Sequence, residues 1–324
     1  MRAGKTVIQE LRETMADIVI SEFINDSALE LLSADFDVDY DPSMFERADE
    51  LENAVSDCRA LIVRNRTSVT ESLLDAGTDL EVVGRLGVGL DNIDLRACKT
   101  RGIRVFPATG ANVNSVAEYV IAALLILFRG AYSATNEVLS GEWPRNRYMG
   151  LEVSGKILGI VGFGAIGRAV ASRAIALGMQ VVANDAFIER DSGCWEKHGV
   201  KPTELETLLA ESDAVTLHVP LSEQTRHLVD GKAIAGMKKG TVVINTARGG
   251  VIDEKALVEA LKKGHLGGAA LDVYENEPLP ANSHLQGAPN LLLTPHIAGV
   301  TVESNERVGT MIAERVRKAL AGEH

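Results

Sequence analysis

Arg248, Glu277 and His296 each follow closely on a different apolar run, in "GTVVINTARGG", "GGAALDVYENEP" and "NLLLTPHIAG". Together these types suit one chemistry. An arginine binds a carboxylate with two parallel hydrogen bonds and so orients it. A histidine takes a proton from an alcohol near neutral pH. A carboxylate behind the ring fixes its orientation and holds its pKa up. The sum suits hydride transfer between a 2-hydroxy acid and a nicotinamide. Each residue also has a plain role open to it: Arg248 as a loop cap beside two glycines, Glu277 as loop charge before Pro278, His296 as a structural hydrogen bonder. What shifts the balance is their joint occurrence after a dinucleotide signal.

That signal is "GFGAIG", with Gly162, Gly164 and Gly167. Such a motif is weak alone and strong in context. Here the strand-like "ILGIV" precedes it and the helix-like "RAVASRAIALG" follows. A second strand-like run, "MQVVAND", ends in Asp185, 18 residues past Gly167. Gly162 permits the tight turn, Gly164 lets backbone approach a pyrophosphate, and Gly167 lets helix and strand pack closely. The helix N-terminus offers N–H groups and a positive dipole end to phosphate. Asp185 suits ribose hydroxyls and repels a 2′-phosphate, which favours NAD over NADP. Arg190, close by in sequence, leaves the second cofactor open.

The elements that must position these groups alternate in the α/β manner. "DIVISEF", "FDVDY", "ALIVRN", "LEVVGRLG" and "IRVFPA" read as strands, with helices around 26–34, 46–56, 70–76 and 92–101. Residues 112–128 are too long and too apolar for a strand and predict a buried helix bridging two domains, with Ser115 and Glu118 at capping-box spacing. Six strands then follow, "KILGIVGFG", "MQVVAND", "DAVTLHVP", "GTVVINTA", "GGAALDVY" and "NLLLTPH", and residues 300–321 read as helix. Ligands of such sheets bind beyond the carboxyl ends of the strands. Residues 1–16 read equally as a short packed helix and as a leader.

"GFGAIGR", "NTARGGVIDEKAL", "LDVYENEP" and "LTPHIAG" together resemble the D-isomer-specific 2-hydroxyacid dehydrogenases, from about residue 17 onward. "GRLGVGLDNIDLRACKTRGIRV" resembles that family's substrate domain. The resemblance implies an α/β protein of two doubly wound parallel-sheet domains. One is a flavodoxin-like substrate domain, residues 1–110 and 300–324; the other is an inserted Rossmann NAD-binding domain, residues 111–299. A cleft between them, NAD as cofactor and a homodimer are implied as well. The family's substrate arginine, acid partner and catalytic histidine fall on Arg248, Glu277 and His296. Its cofactor contacts fall on Gly162, Gly164, Ala165, Ile166, Gly167, Asp185, Thr246, Ala247, Arg248, Asp272, His296 and Gly299. His218 and Pro220 fall on the adenine and ribose wall. Gly87, Val88 and Gly89 fall on a loop whose N–H groups help hold the substrate carboxylate. "NEVLSGEWPRNRYMG" resembles an arm that crosses to a partner subunit; there Arg145 or Arg147 either approaches the partner's cleft or is surface charge. The chain resembles phosphoglycerate dehydrogenases without their regulatory C-terminal domain, so control by serine through such a domain is not expected.

The bulk composition narrows the partners. Of 324 residues, 46% are hydrophobic and only 4% aromatic, so the core must be aliphatic, as in buried parallel strands. A formal charge of −12 argues against nucleic acid or an anionic membrane as partner, so any anion site must be local. The longest apolar run, residues 119–128, is too short to span a bilayer. Three cysteines without a C-x-x-C pair indicate a reducing compartment, the cytoplasm. Seven histidines with no H-x-x-H or H-E-x-x-H pair leave metal chemistry unsupported.

The substrate class hangs on "ALIVRNRT", where Arg64 and Arg66 flank Asn65 at a strand end. In an extended chain both arginines share one side. Such a pair suits a second anionic group on the substrate, as in 3-phosphoglycerate, sulfolactate or a malate-like diacid. With Asn65 and the 87–89 loop they make the candidate substrate-binding set. A monoanionic acid such as lactate or glycerate remains the alternative, as does a non-catalytic NAD(H)-sensing protein on the same fold.

Overall fold

The computed structural model describes residues 16–323; the expectation for residues 1–15 lies outside them. The chain divides into two compact units, Met1–Asn112 with Thr301–His324, and Val113–Val300.

The first unit is a five-stranded parallel sheet of order β2-β1-β3-β4-β5. Its strands are β1 (Ile18–Ile20), β2 (Val38–Tyr40), β3 (Ala60–Val63), β4 (Val82–Arg85) and β5 (Arg104–Pro107). Helices α1 (Asp26–Ser33), α2 (Ala48–Val55), α3 (Glu71–Ala76) and α4 (Leu95–Thr100) connect them. The order is the flavodoxin-like one. Val19, Leu61, Val63 and Val83 point to one apolar layer and Ile18, Ile20, Ile62 and Val82 to the other. That is the alternation of a sheet covered on both faces.

The second unit opens with α5 (Val113–Arg129) and α6 (Thr135–Leu139). Its sheet has seven parallel strands, ordered β12-β11-β10-β9-β6-β7-β8. They are β6 (Ile157–Val161), β7 (Gln180–Asn184), β8 (Lys201–Pro202), β9 (Ala214–Leu217), β10 (Val242–Asn245), β11 (Gly268–Leu271) and β12 (Leu291–Leu293). Helices α7 (Ala165–Ala176), α8 (Gly193–Lys197), α9 (Leu205–Glu211), α10 (Gly231–Gly236) and α11 (Glu254–Lys262) intervene. One apolar layer joins α5 and α7 to the sheet, and the other joins α9, α10 and α11 to its opposite face. From the first strand β6 the order runs outward both ways, so β6 marks the topological switch point. The chain then returns to the first unit as α12 (Val302–Leu320), capped by Thr301 and Ser304 in a reciprocal box. Gly84 on β4 allows its close seat, since a Cβ there would lie 2.7 Å from Ile312.

Three expectations need correcting. The sheet has a seventh strand, β8, a two-residue edge with no apolar run to announce it. Ser115 does not cap α5: the helix begins at Val113, and Ser115 is buried within its first turn. "ALIVRNRT" does not stay extended. The strand ends at Val63 and the chain bends at residues 65–67.

Among the described residues no single helix is long and apolar enough to cross a membrane.

Candidate active site

The carboxyl edge of the seven-stranded sheet carries the chemistry in spatial sequence. His296 follows β12, Asp272 and Glu277 follow β11, and Thr246 and Arg248 follow β10. His218 and Pro220 follow β9, the glycine turn follows β6 and Asp185 follows β7. At about 4.8 Å per strand, the three steps from β7 to β10 span roughly 14 Å. That distance suits an extended dinucleotide, with its adenosine end by Asp185 and its other end by Arg248.

The glycine turn fits such a ligand. Gly162 has φ 94°, and a Cβ there would lie 2.5 Å from the carbonyl oxygen of His218. A Cβ on Gly167 would meet Gly162 O at 2.3 Å, so α7 packs directly on the turn. Gly164, at the N-cap of α7, has open space where a Cβ would stand and no side-chain cap. The amide ends of Ala165 and Ile166 thus open the helix toward a phosphate site. Phe163 anchors the turn from below: it is fully buried, stacks on Trp195 at 4.9 Å, and its carbonyl accepts from Arg168 Nε at 3.0 Å. Asp185 accepts from Phe163 N at 2.7 Å and from Phe187 N at 2.9 Å. It therefore ties the turn to the end of β7. Arg190, which left NADP open, pairs with Glu204. Two buried polar atoms on this edge, His218 Nδ1 and Thr246 Oγ1, have no hydrogen-bond partner among the described residues. Buried polar groups rarely stay so. A polar cofactor laid along the edge would satisfy them. Burial also lowers His218 to a pKa of about 3, so the ring is neutral and its Nε2 pairs with Thr216 Oγ1 at 3.1 Å.

His296, Glu277 and Arg248 come together at the other end. His296 Nδ1 lies 2.7 Å from Glu277 Oε2, and Glu277 Oε1 accepts from Tyr274 N at 3.0 Å. Burial pushes the Glu277 carboxyl up, but hydrogen bonds from His296 and Tyr274 N–H, with the charges of His296 and Arg248, leave it below its ordinary value. An ionised carboxylate only accepts, so Nδ1 carries a proton, and in the neutral ring the lone pair is on Nε2. Arg248 Nη1 donates to its neighbour Ala247 O at 2.6 Å. The buried Asn245 carries the loop, receiving Ala247 N at 3.0 Å and donating to Arg248 O at 2.9 Å. Gly249 sits against the Tyr274 backbone, where a Cβ would fall 1.7 Å from its oxygen. This close approach brings the arginine loop to the Glu277 loop.

Asp272, one of the expected cofactor contacts, braces the segment that carries His296. It is 1% exposed, and its carboxylate faces the chain around His296. Oδ1 accepts from Thr294 Oγ1 at 2.6 Å and Ile297 N at 2.8 Å, and Oδ2 accepts from Ala298 N at 2.8 Å. His296 itself has φ 55°, a left-handed conformation costly for a residue with a Cβ. Tyr119 Oη reaches Thr294 Oγ1 at 2.6 Å, and Tyr274 Oη donates to Thr294 O at 2.7 Å. Neither tyrosine nor Thr294 stood out in the sequence. A hydroxyl inside the apolar helix α5 was the one available signal.

In the first unit, Arg64 and Arg66 do not form a side-by-side pair. Arg64 Nη2 donates to Asn305 Oδ1 at 2.7 Å, beside Phe23. Arg66 lies over the Phe45 ring at 4.1 Å, with Glu46 at 3.9 Å, and is 62% exposed. Asn65 is exposed between them. The Arg85 guanidinium lies where a Cβ on Gly87 would stand. Val88 and Gly89 donate no backbone hydrogen bond among the described residues.

Residues 121–298, more than half of the chain, match the family described as D-isomer specific 2-hydroxyacid dehydrogenase, NAD binding domain. The chain belongs to the D-isomer-specific 2-hydroxyacid dehydrogenases. This dehydrogenase is 53% identical to an (S)-sulfolactate dehydrogenase of Chromohalobacter salexigens, over 94% of the chain and 99% of that protein. It is 39% identical to a D-3-phosphoglycerate dehydrogenase of Methanocaldococcus jannaschii, over 95% of the chain but only 58% of that longer protein. Among solved structures, the D-lactate dehydrogenase of Aquifex aeolicus, complexed with NAD and lactic acid, superposes with a TM-score of 0.83 at 29% identity, covering 94% of this chain and 96% of that one. The chain is an NAD-dependent 2-hydroxyacid dehydrogenase, and its substrate is a small hydroxy or oxo acid.

Proposed function

We propose that Arg248, Glu277 and His296 perform the reaction and that the substrate is a 2-hydroxy acid with a second anionic group, foremost (S)-sulfolactate. The observation that carries the catalytic reading is the 2.7 Å His296–Glu277 bond, which leaves Nε2 free as a base. Arg248 forks onto the substrate carboxylate. Nε2 of His296 takes the hydroxyl proton, and ionised Glu277 steadies the imidazolium that forms. When bound, NAD accepts the hydride from C2. Val88 and Gly89 add N–H donors for the carboxylate. Arg66 meets the second anion, for which an exposed guanidinium over an aromatic face is well suited.

The likeness to the Chromohalobacter protein along its whole length supports sulfonate over phosphate. The experiment is a panel read by NADH absorbance: both sulfolactate enantiomers, 3-phosphoglycerate, malate, glycerate and lactate. The expected result is the highest kcat/KM on (S)-sulfolactate, with Arg66→Ala raising its KM roughly tenfold and that of lactate less than about twofold. Equal effects on both substrates would return Arg66 to the surface. Tight NADH binding without turnover of any acid would favour the NAD(H)-sensing alternative.

A homodimer belongs to the same proposal. Leu139, Trp143 and Met149 are 79%, 76% and 81% exposed, an apolar density that suits a buried partner surface. Arg147 is paired with Glu137 on this arm. Sedimentation of the wild type and of Trp143→Glu tests it, with a monomeric variant expected.

A further inference from the structure

Glu22 follows the fully buried β1 in "VISEF", is 3% exposed, and is not a residue that the reaction uses. Its carboxylate is wrapped by four consecutive backbone N–H groups of the arginine loop. Arg64 N donates to Oε1 at 2.8 Å and Asn65 N to Oε2 at 3.3 Å. Arg66 N is shared between the two oxygens at 3.2 and 3.1 Å, and Thr67 N donates to Oε1 at 2.9 Å. The cause lies in the sheet: β1 and β3 are parallel neighbours with Ile20 beside Ile62, so the residues beyond them emerge together. A buried carboxylate is tolerated only when its oxygens are satisfied, and charge-assisted bonds of this kind are the strong ones. Two more contacts hold the loop. Ser21 Oγ meets Thr67 Oγ1 at 2.8 Å, and Asn92 Nδ2 donates to Thr67 O at 2.6 Å and Arg64 O at 3.1 Å.

Converging backbone N–H groups form a ready anion site. Here the protein's own carboxylate fills it. The loop therefore has no amides left for a ligand and offers an anion only its side chains. Arg64 is engaged by Asn305, which leaves Arg66 as the exposed guanidinium of the loop. We propose that Glu22 is a positioning residue for substrate selection: it sets the main chain of residues 64–67 so that Arg66 meets the second anionic group of the substrate. This rests on the proposed role of Arg66.

The test measures KM and kcat on sulfolactate and lactate, NADH affinity and Tm for Glu22→Gln, Glu22→Asp, Asn92→Ala and Arg66→Ala. In Glu22→Gln an amide N–H₂ faces backbone donors, and the loop must shift. Its sulfolactate KM is expected to rise roughly tenfold, with kcat within about threefold and the lactate KM within about twofold. Glu22→Asp keeps the charge and should fall between. Asn92→Ala frees the other side of the loop and should show the same split, which keeps the test open if Glu22→Gln folds poorly. A general loss of activity on both acids, or an unchanged sulfolactate KM in these variants beside a raised one in Arg66→Ala, would overturn the positioning role alone. An unchanged sulfolactate KM in Arg66→Ala would remove the reading beneath it, and the positioning role with it.

Discussion

Asp272→Asn should slow the chemical step while sparing the cofactor. The carboxylate accepts from one hydroxyl and two backbone amides of the segment that carries His296. Bonds to a charged acceptor contribute about 1.5–3 kcal/mol each, and a buried donor left unmatched costs about 1–3 kcal/mol. The amide keeps one acceptor and turns a donor against another donor, so one or two bonds are lost, about 2–4 kcal/mol of restraint. The left-handed φ of His296 itself costs roughly 1–2 kcal/mol, which the intact contacts offset. At about 1.4 kcal/mol per decade, that loss corresponds to roughly 30- to 1000-fold in kcat. Tyr119 and Tyr274 still hold Thr294, so the lower end, about 30-fold, is expected. Steady-state turnover gives kcat, and quenching of NADH fluorescence gives the cofactor Kd, expected to stay within about threefold. A kcat within about threefold of wild type at unchanged Tm would refute the loop-holding role. Lost NADH affinity with kcat intact would return Asp272 to the cofactor.

Tyr119→Phe removes one neutral bond to Thr294, worth about 0.5–1.5 kcal/mol, and should lower kcat roughly two- to tenfold with NADH affinity unchanged; a larger effect on Tm than on kcat would make the tyrosine a packing residue. His218 titrates near its ordinary 6.5 when unfolded but stays neutral in the fold down to about 3, because burial disfavours its charged form. The unfolded chain then binds the extra proton, so this contribution to stability is full above about pH 6.5 and falls as the pH drops toward 3, by roughly 2 kcal/mol at about pH 5. Thermal unfolding of wild type against His218→Asn should show the gap closing as the pH falls; parallel curves would contradict it.

Much of the fold was legible because both sheets are parallel and covered on both faces. Strands such as β3 and β10 are buried at every position and stand out as continuous apolar runs. The glycine turn was legible for a related reason, since each glycine meets a local steric demand that spacing alone reveals. β8 was not, because a two-residue edge strand has no core face to mark it. Arg248, Glu277 and His296 could be singled out because parallel strands deliver their following residues to one edge. The groups that hold them were hidden by distance in sequence. Asp272 reads as a strand-end acid until its loop, some 25 residues later, is seen to close on it. Glu22 reads as an unremarkable acid because its four donors lie more than 40 residues on. Arg64 and Arg66 were misread as a facing pair for the same reason: the carboxylate that bends their loop is not local.

The most direct test of the account is single-turnover reduction of a 2-oxo acid by His296→Ala, followed by NADH absorbance, beside the NADH Kd of the same variant. The expected rate is lower by roughly 10²–10⁴-fold, the size of a general acid–base contribution, with NADH affinity within about threefold of wild type. A rate within tenfold of wild type, or a loss of NADH binding that accounts for the loss of rate, would contradict it.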